Sequence, residues 1–241
     1  MITFSFIIPV LNEADVINSL VGHVRSLERA GEEEVIVVDG GPFGDTIKAI
    51  ADKGVRRLSS ERGRARQMNE GAAAARGRYL IFLHADTRLP REALVLIEEA
   101  MTAGDIAGGA FDLRIDSSRL SLRLISRIAS LRSRSTRIPY GDQAIFIRKE
   151  AFDRIGGYPL VPLMEDVALM RKLKKAGDRI CIIPEPVTTS PRRWEAEGIV
   201  YATLRNWFLI GAFLLGASPE RLARYYRHGR AAYGNRRSRT D

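Results

Sequence analysis

The sequence predicts an α/β fold: a mostly parallel sheet flanked by helices, followed by a C-terminal helical extension. Two observations predict it. Apolar, β-branched runs of strand length at residues 4–10, 35–38 and 80–83 alternate with helical patterns at 15–27, 46–52 and 64–75. Both faces of these runs are apolar, as in a sheet covered by helices on both sides. A length of 241 residues suits one such domain with an appendage.

The first run, Phe4-Ser-Phe-Ile-Ile-Pro-Val10, has no basic region or cleavage site before it and reads as a first strand, not a signal peptide. The segment Tyr79-Leu-Ile-Phe-Leu-His-Ala-Asp86 reads as a buried strand with polar residues at its end. A helix is expected after Pro90, over residues 91–101, with proline near its first turn. Beyond it the pattern changes. Residues 108–114 and 142–148 alternate and read as strands of another kind. Between them, at 119–131, Leu120, Leu124, Ile128 and Leu131 recur at helical spacing, interleaved with Arg119, Arg123 and Arg127. A helix over 165–175 and a strand over 180–183 complete the domain, taken as residues 1–190. Residues 191–241 form a basic helical extension. Its apolar stretch, 200–216, is short for a membrane span and contains Arg205. It reads either as a core helix or as a helix lying in a bilayer surface, anchored by Trp207, Phe208 and Phe213.

Composition narrows the function classes. The single cysteine, Cys181, permits no internal disulfide and suits a reducing, cytoplasmic setting. The net charge of +9 is dominated by arginine, concentrated at 112–140 and after 191. Such charge suits an anionic substrate or an anionic membrane surface, which allows a peripheral position on the inner membrane face. No nucleic-acid-binding module is recognisable, so no nucleic-acid partner is expected. Oligomeric state is not readable.

Ligands of parallel α/β sheets sit beyond the carboxyl ends of the strands. Polar groups stand there after three successive runs: Pro9-Val-Leu-Asn-Glu13, Asp39-Gly-Gly41 and His84-Ala-Asp86. Asp39 suits a base N–H. Asn12 and Glu13 approach from the first loop, with Glu13 equally suited to a helix N-terminus. A nucleotidyltransferase on a similar sheet would carry a Gly- and Lys-bearing phosphate loop after the first strand; residues 9–13 have neither. A non-catalytic basic module would rest on charge alone.

The ordered set Ile7-Ile-Pro-Val-Leu-Asn-Glu13, Val37-Val-Asp-Gly-Gly41, Asn69-Glu-Gly71, Phe82-Leu-His-Ala-Asp86, Gly141-Asp-Gln143 and Met164-Glu-Asp166 resembles glycosyltransferase family 2. More narrowly, Gly63-Arg-Ala-Arg-Gln-Met-Asn69 and Leu83-His-Ala-Asp-Thr87 resemble a small bacterial subgroup labelled radical-SAM/selenodomain-associated or arsenosugar-biosynthesis glycosyltransferase. The resemblance implies a GT-A fold with a Rossmann-like sheet. It also implies inverting transfer from a nucleotide-diphosphate sugar, UDP-linked in preference, to a hydroxyl of a small-molecule or lipid acceptor.

Mapped onto this chain, it implies nucleotide-sugar contacts from Pro9, Leu11, Asn12, Glu13, Asp39, Gly40, Gly41, Arg66, Asn69, His84, Ala85 and Asp86. A divalent cation, Mg²⁺ or Mn²⁺, would be held by Asp86. The usual Asp-x-Asp is here His84-Ala-Asp86, so His84 either ligates the metal too, hydrogen-bonds the phosphate or ribose, or is a satisfied strand-end histidine. The pair Glu165-Asp166 would supply the catalytic base, Asp166 in the leading role. Gly141, Asp142, Gln143, Arg193 and Trp194 fall on the acceptor side. Arg192-Arg-Trp194 lacks the Gln of the processive members' motif, and Trp194 either stacks on an acceptor or simply packs.

Overall fold

The computed structural model describes residues 2–29 and 31–226. The predicted alternation forms strands β1 (Phe4–Val10), β2 (Glu33–Asp39), β3 (Arg56–Ser59) and β4 (Tyr79–Phe82), all mutually parallel, with helices α1 (Ala14–Arg25), α2 (Asp45–Ala49) and α3 (Arg64–Ala74) between them. Successive side chains of these strands enter two separate cores. Phe4, Phe6, Ile8, Val35, Val37 and Ile81 join Leu20, Val21 and Val24 of α1 on one face. Ile7, Ile36, Val38, Leu80 and Phe82 join Met68 and Ala72 of α3 on the other. This is the physical content of strands that are apolar on both faces.

The second half is mixed. After β5 (Thr87–Arg88) and α4 (Ala93–Thr102) come β6 (Ile106–Ile115), α5 (Leu120–Thr136), β7 (Ile145–Arg148), α6 (Lys149–Arg154), α7 (Glu165–Lys175) and β8 (Arg179–Thr189). The eight strands lie in the order β3-β2-β1-β4-β7-β6-β8-β5. β7 is antiparallel to β4 and to β6, while β8 runs parallel to β6 and antiparallel to β5. The antiparallel insertion of β7 breaks the purely parallel pattern that the first half establishes.

β6 pairs with β7 only at Gly108 and Gly109. Its later backbone groups are completed by side chains instead. Ser130 and Ser126 of α5 accept the N–H groups of Leu113 and Ile115 at 2.9 and 3.0 Å, and Gln143 Nε2 donates to the Phe111 carbonyl at 2.8 Å. A buried N–H left unpaired is costly, which explains serines on the buried face of a helix.

Three predicted elements differ. The strand expected over 142–148 begins only at Ile145: Gly141–Gln143 is a 3-10 turn, ended by Ala144 at φ 51°. Strand β4 stops at Phe82, and His84–Thr87 is a turn closed by Thr87 N–H donating to the His84 carbonyl at 3.1 Å. The buried strand expected to run through Asp86 is therefore a strand plus a turn. The chain after Pro191 forms α8 (Arg192–Glu197) and α9 (Ile199–Leu214), parted by Gly198 at φ 87°. Trp194 and Ala202 join the first core, and the buried Glu197 and Arg205 pair at 2.5 Å. Residues 227–241 of the expected extension lie outside the described residues.

Candidate active site

The loops after β1 and β2 are fastened together. Gly40 N–H donates to the Val10 carbonyl, and Gln67 Nε2 donates to both Val10 and Val38 carbonyls at 2.8 Å. A Cβ on Gly40 would stand 2.9 Å from Gln67 Cδ, so glycine is needed for this close approach. Asp39 is buried. One of its oxygens accepts Gly41 N–H at 2.8 Å, the other Thr46 N–H at 3.1 Å and Ile47 N–H at 3.4 Å. Asp39 thus holds the β2–α2 loop and the start of α2, a role that precedes any contact with a base. Leu11 stands at the same edge against Gly41. Asn12 is exposed with φ 57°, and Glu13 N–H donates to Thr46 Oγ1 at 3.1 Å. Pro9 remains within β1, and Ala85 is buried in the core.

The Asn-x-Gly element resolves into two structural jobs. Asn69 exchanges two 2.9 Å hydrogen bonds with the Tyr158 backbone, Nδ2 to its carbonyl and Oδ1 from its N–H. Asn69 therefore anchors the loop that leads to Glu165. A Cβ on Gly71 would stand 2.5 Å from Ile7 Cγ2, so Gly71 lets α3 press on the sheet. Arg66 pairs with Glu61 at 2.7 Å on the exposed side of α3. Arg64 is the arginine of this helix that reaches the cleft, 3.5 Å from Glu165.

Four acidic or imidazole groups converge where these loops meet the second half. Asp166 Oδ2 accepts Gly141 N–H at 2.7 Å, and a Cβ on Gly141 would stand 2.9 Å from His84 Nε2. Gly141 is therefore wedged between His84 and Asp166, with no room for a side chain. Asp142 follows, its Oδ1 buried and without a hydrogen-bond partner. Burial pushes the Asp142 carboxyl above its usual range; Arg193 opposes this, while Asp166 and Asp86 both reinforce it. Burial also holds His84 well below the usual imidazole range, aided by the charges of Arg64 and Arg193, so His84 is neutral at pH 7. Glu165 is buried beside Asp166, and burial, then the Asp166 charge, raises its carboxyl above the usual range, against the pull of Arg64.

Asp86 lies on the cleft's open side. Arg192 from α8 reaches between two carboxylates, 3.4 Å from Asp86 Oδ2 and 3.7 Å from Glu13 Oε2. A cationic group is thus drawn to the position where Asp86 and Glu13 face each other. Among the described residues no cluster of three or more His, Cys, Asp or Glu side chains forms a complete metal cage. That donor set fits Mg²⁺ or Mn²⁺ held by one or two carboxylates and completed by substrate phosphates.

Gln143 is fully buried. It accepts from Ser133 Oγ at 2.7 Å and from Tyr140 N–H at 3.2 Å, besides donating to Phe111, so it supports the 141–142 turn from behind and does not face an acceptor. Trp194 is 7% exposed and belongs to the core, which settles its alternatives in favour of packing. The sequence does not single out Gln67 or Tyr158, whereas Arg64 is one of three arginines, with Arg62 and Arg66, that suit the diphosphate, and Arg192 reads only as part of Arg192-Arg-Trp194. Gln67 sits inside the Gly63–Asn69 motif, two residues before Asn69, and its place on the sheet side of α3 is the signal that would have found it.

Residues 5–161, more than half of the chain, match the family model described as glycosyl transferase family 2. The chain belongs to this family. Glu165 and Asp166 lie just beyond the matched segment. No curated protein matches the chain in sequence. Among solved structures, a mannosyltransferase from Pyrobaculum calidifontis, in complex with GDP-Man and Mn²⁺, superimposes with a TM-score of 0.67 at 19% identity, covering 95% of this chain and 69% of that one. Glucosyl-3-phosphoglycerate synthase from Mycobacterium tuberculosis, in complex with Mn²⁺, UDP and phosphoglyceric acid, gives 0.56 at 20% identity over 76% and 69%. S. aureus TarS gives 0.59 at 19% identity over 79% and 61%. These likenesses establish the GT-A fold. The matched segment contains Asp39, His84, Asp86 and Gly141–Gln143 of this glycosyltransferase.

Proposed function

We propose that this glycosyltransferase moves a sugar, with inversion, from a UDP-linked donor to an acceptor hydroxyl. The observation that carries the reading is the convergence of Asp86, Asp142 and Asp166, from three separate elements, around Gly141 and His84. Asp166 is the base: it takes the proton as the acceptor oxygen bonds to the anomeric carbon. The bond from that carbon to the diphosphate breaks on the opposite side, and the nucleoside diphosphate leaves. A divalent cation, Mg²⁺ or Mn²⁺, held by Asp86 would offset the charge growing on the leaving diphosphate. His84, being neutral, suits either ligation or a hydrogen bond to phosphate.

Glu165 borders the base and ties it to Arg64. Pro9, Leu11, Asn12, Glu13 and the Asp39–Gly41 loop form the nucleotide side, with Asn69 acting through Tyr158. Arg64, in place of Arg66, and Arg193 face the diphosphate. Asp142, with its free oxygen, is the acceptor-side residue. Residues 1–190 carry the transfer, and α8 closes the donor side through Arg192. The family relationship supports nucleotide-sugar transfer, and the UDP and Mn²⁺ complex of a structural neighbour supports the donor and metal choice. The narrower bacterial subgroup resemblance specifies neither sugar nor acceptor.

The test is nucleotide release across UDP-, GDP- and dTDP-sugars with Mg²⁺ or Mn²⁺, alongside thermal melting. UDP with metal is expected to raise Tm, by about 2.7 kcal/mol of added stability at a hundredfold excess over Kd. No shift with any nucleoside diphosphate, with or without metal, overturns the donor reading.

A further inference from the structure

Large apolar side chains exposed to solvent are not spread evenly over this molecule. They gather on α5 and α9, two helices that touch each other. On α5, Leu120, Leu124 and Leu131 are 78, 58 and 66% exposed and form one stripe with Ile128. The opposite face of α5 is the serine-bearing face that completes β6. On α9, Trp207 and Phe208 are likewise more than half exposed, on a stripe that includes Val200 and Leu204. Burying such a stripe in an apolar environment is favourable by about 25 cal/mol per Å², so leaving it in water calls for an occupant.

The flank of the α5 stripe is cationic. Two cavities of about 480 and 520 Å³ adjoin along β6 and α5 and share Arg114, Ile115 and Arg123. Arg127 lines the first cavity, and Arg119, with Asp116 and Glu195, lines the second. Among the described residues none of these four arginines forms an ion pair with a carboxylate, whereas Arg134, in the same wall, is bound to Asp112. Leu131 lines the groove as well, so apolar and cationic surfaces meet within it.

We propose that the α5–α9 face docks on an anionic lipid bilayer, with the Arg114–Arg127 groove taking headgroup phosphates and the leucine stripe entering the acyl boundary. The residues select this occupant. Neither α5 nor α9 contains a single Asp or Glu, so a second copy placed on this face would set arginine against arginine. A nucleic acid would match the arginines but would leave the leucines in water. A bilayer satisfies both: amphipathic helices rich in arginine, with Leu, Trp and Phe on the other side, lie in the interface plane. No helix among the described residues is long and apolar enough to cross a membrane, so the contact is peripheral at this face. Glu195, one turn along α8 from Arg192, lines the same groove, which therefore adjoins the donor cleft. The proposal stands independently of the sugar-transfer reading.

The test is co-sedimentation of the full chain with vesicles of phosphatidylcholine alone or mixed with phosphatidylglycerol. Binding is expected only with phosphatidylglycerol and is expected to weaken with salt. The triple variant Arg119→Ala/Arg123→Ala/Arg127→Ala should bind roughly a hundredfold more weakly, from about fivefold for each arginine at the headgroups. Leu120→Ser/Leu124→Ser/Leu131→Ser should also bind more weakly while its melting temperature stays near that of the parent. Equal binding to both vesicle types, or none, overturns the proposal. So does wild-type binding by the arginine variant, because the arginines of 227–241 would then carry the contact. A chain that ignores vesicles but is stabilised by inorganic phosphate has a soluble-anion site instead. A dimer dissolved by the leucine variant, without vesicle binding, identifies a second copy as the occupant, and duplex binding lost in the arginine variant, again without vesicle binding, identifies a nucleic acid.

Discussion

The two halves of the sheet are held together by different physics. In β1–β4, each strand sends alternate side chains into two apolar cores, and parallel pairing satisfies the backbone. Side-chain polar groups are needed chiefly at the strand ends, where Gln67 and Asp39 fasten the loops. Between β6 and β7 the ladder is incomplete, and Ser126, Ser130 and Gln143 satisfy the unpaired backbone of β6 with side-chain hydrogen bonds. Topology positions the proposed donor half of the site, since every strand end there lies on the same edge. The proposed acceptor half depends on a hydrogen-bonded network that reaches the 141–142 turn: Gln143 supports residues 141–142, and Gly141 N–H is bound to Asp166. Errors in the first half should therefore cost stability, and errors in the second half should cost stability and rate together.

The largest expected effect lies where the halves meet. Asp166→Asn retains an oxygen for Gly141 N–H but cannot take the acceptor proton, so kcat should fall by about 10²–10⁴-fold with little change in Tm. Nucleotide binding by calorimetry should persist. A variant that turns over normally removes Asp166 as the base. Next is Gln143→Ala, which strips partners from Phe111, Tyr140 and Ser133. Each buried polar group left unsatisfied costs about 1–3 kcal/mol, so denaturant unfolding should show a loss of several kcal/mol. Its kcat should drop even at temperatures where the variant is folded, since the 141–142 turn loses its support. Gly71→Ala is the counterpart in the parallel half. The new methyl would meet Ile7 Cγ2 at 2.5 Å, and overpacking of this kind costs about 1–3 kcal/mol, offset in part by about 1 kcal/mol of helix propensity. Its kinetics below the melting transition should match the wild type. If Gln143→Ala is kinetically silent while Gly71→Ala is not, the contrast between the halves is wrong.

The same contrast explains what the sequence disclosed. The alternation of apolar strands and helices up to Phe82 was legible because burial on both faces writes a continuous apolar run. The polar residues at those strand ends were legible because topology dictates where a ligand sits. Roles were less legible than positions. Asn69, expected near the nucleotide, is spent on Tyr158, 89 residues away in sequence, and no local pattern encodes such a pairing. Gly141-Asp-Gln143 alternates like a strand but forms a turn, because Ala144 adopts a left-handed conformation that only the surrounding contacts select. The short β3, β5 and α6 carry too few residues for a period to show. Trp194 read equally as a stacking platform or a packed side chain, and only the tertiary structure places it in the core.

Two buried glutamates put the comparison on a pH axis. Glu34, at the start of β2, accepts from Ser5 Oγ at 2.8 Å and is also bound by the Arg76 backbone and guanidinium. Burial alone would raise its carboxyl, but these hydrogen bonds outweigh burial and hold it below 4.5. Glu165 has the opposite balance: burial and the neighbouring Asp166 outweigh Arg64 and hold it above 4.5. For Glu34 the unfolded chain binds the proton more readily, so its contribution is fully present above pH 4.5 and is lost as pH falls through the folded value. For Glu165 the folded chain binds the proton more readily, so stability is greatest below pH 4.5 and declines as pH rises through the folded value. Glu34→Gln should therefore lower Tm at pH 7, with the deficit shrinking in acid. Glu165→Gln should raise Tm at pH 7, with the gain vanishing by about pH 4. Thermal melts of both variants from pH 4 to 8 check the signs. A Tm deficit in Glu165→Gln at pH 7 would mean that Arg64 makes the ion pair net stabilising. Glu165 would then be held beside the cleft by its attraction to Arg64, not kept at a cost in stability for the chemistry beside it.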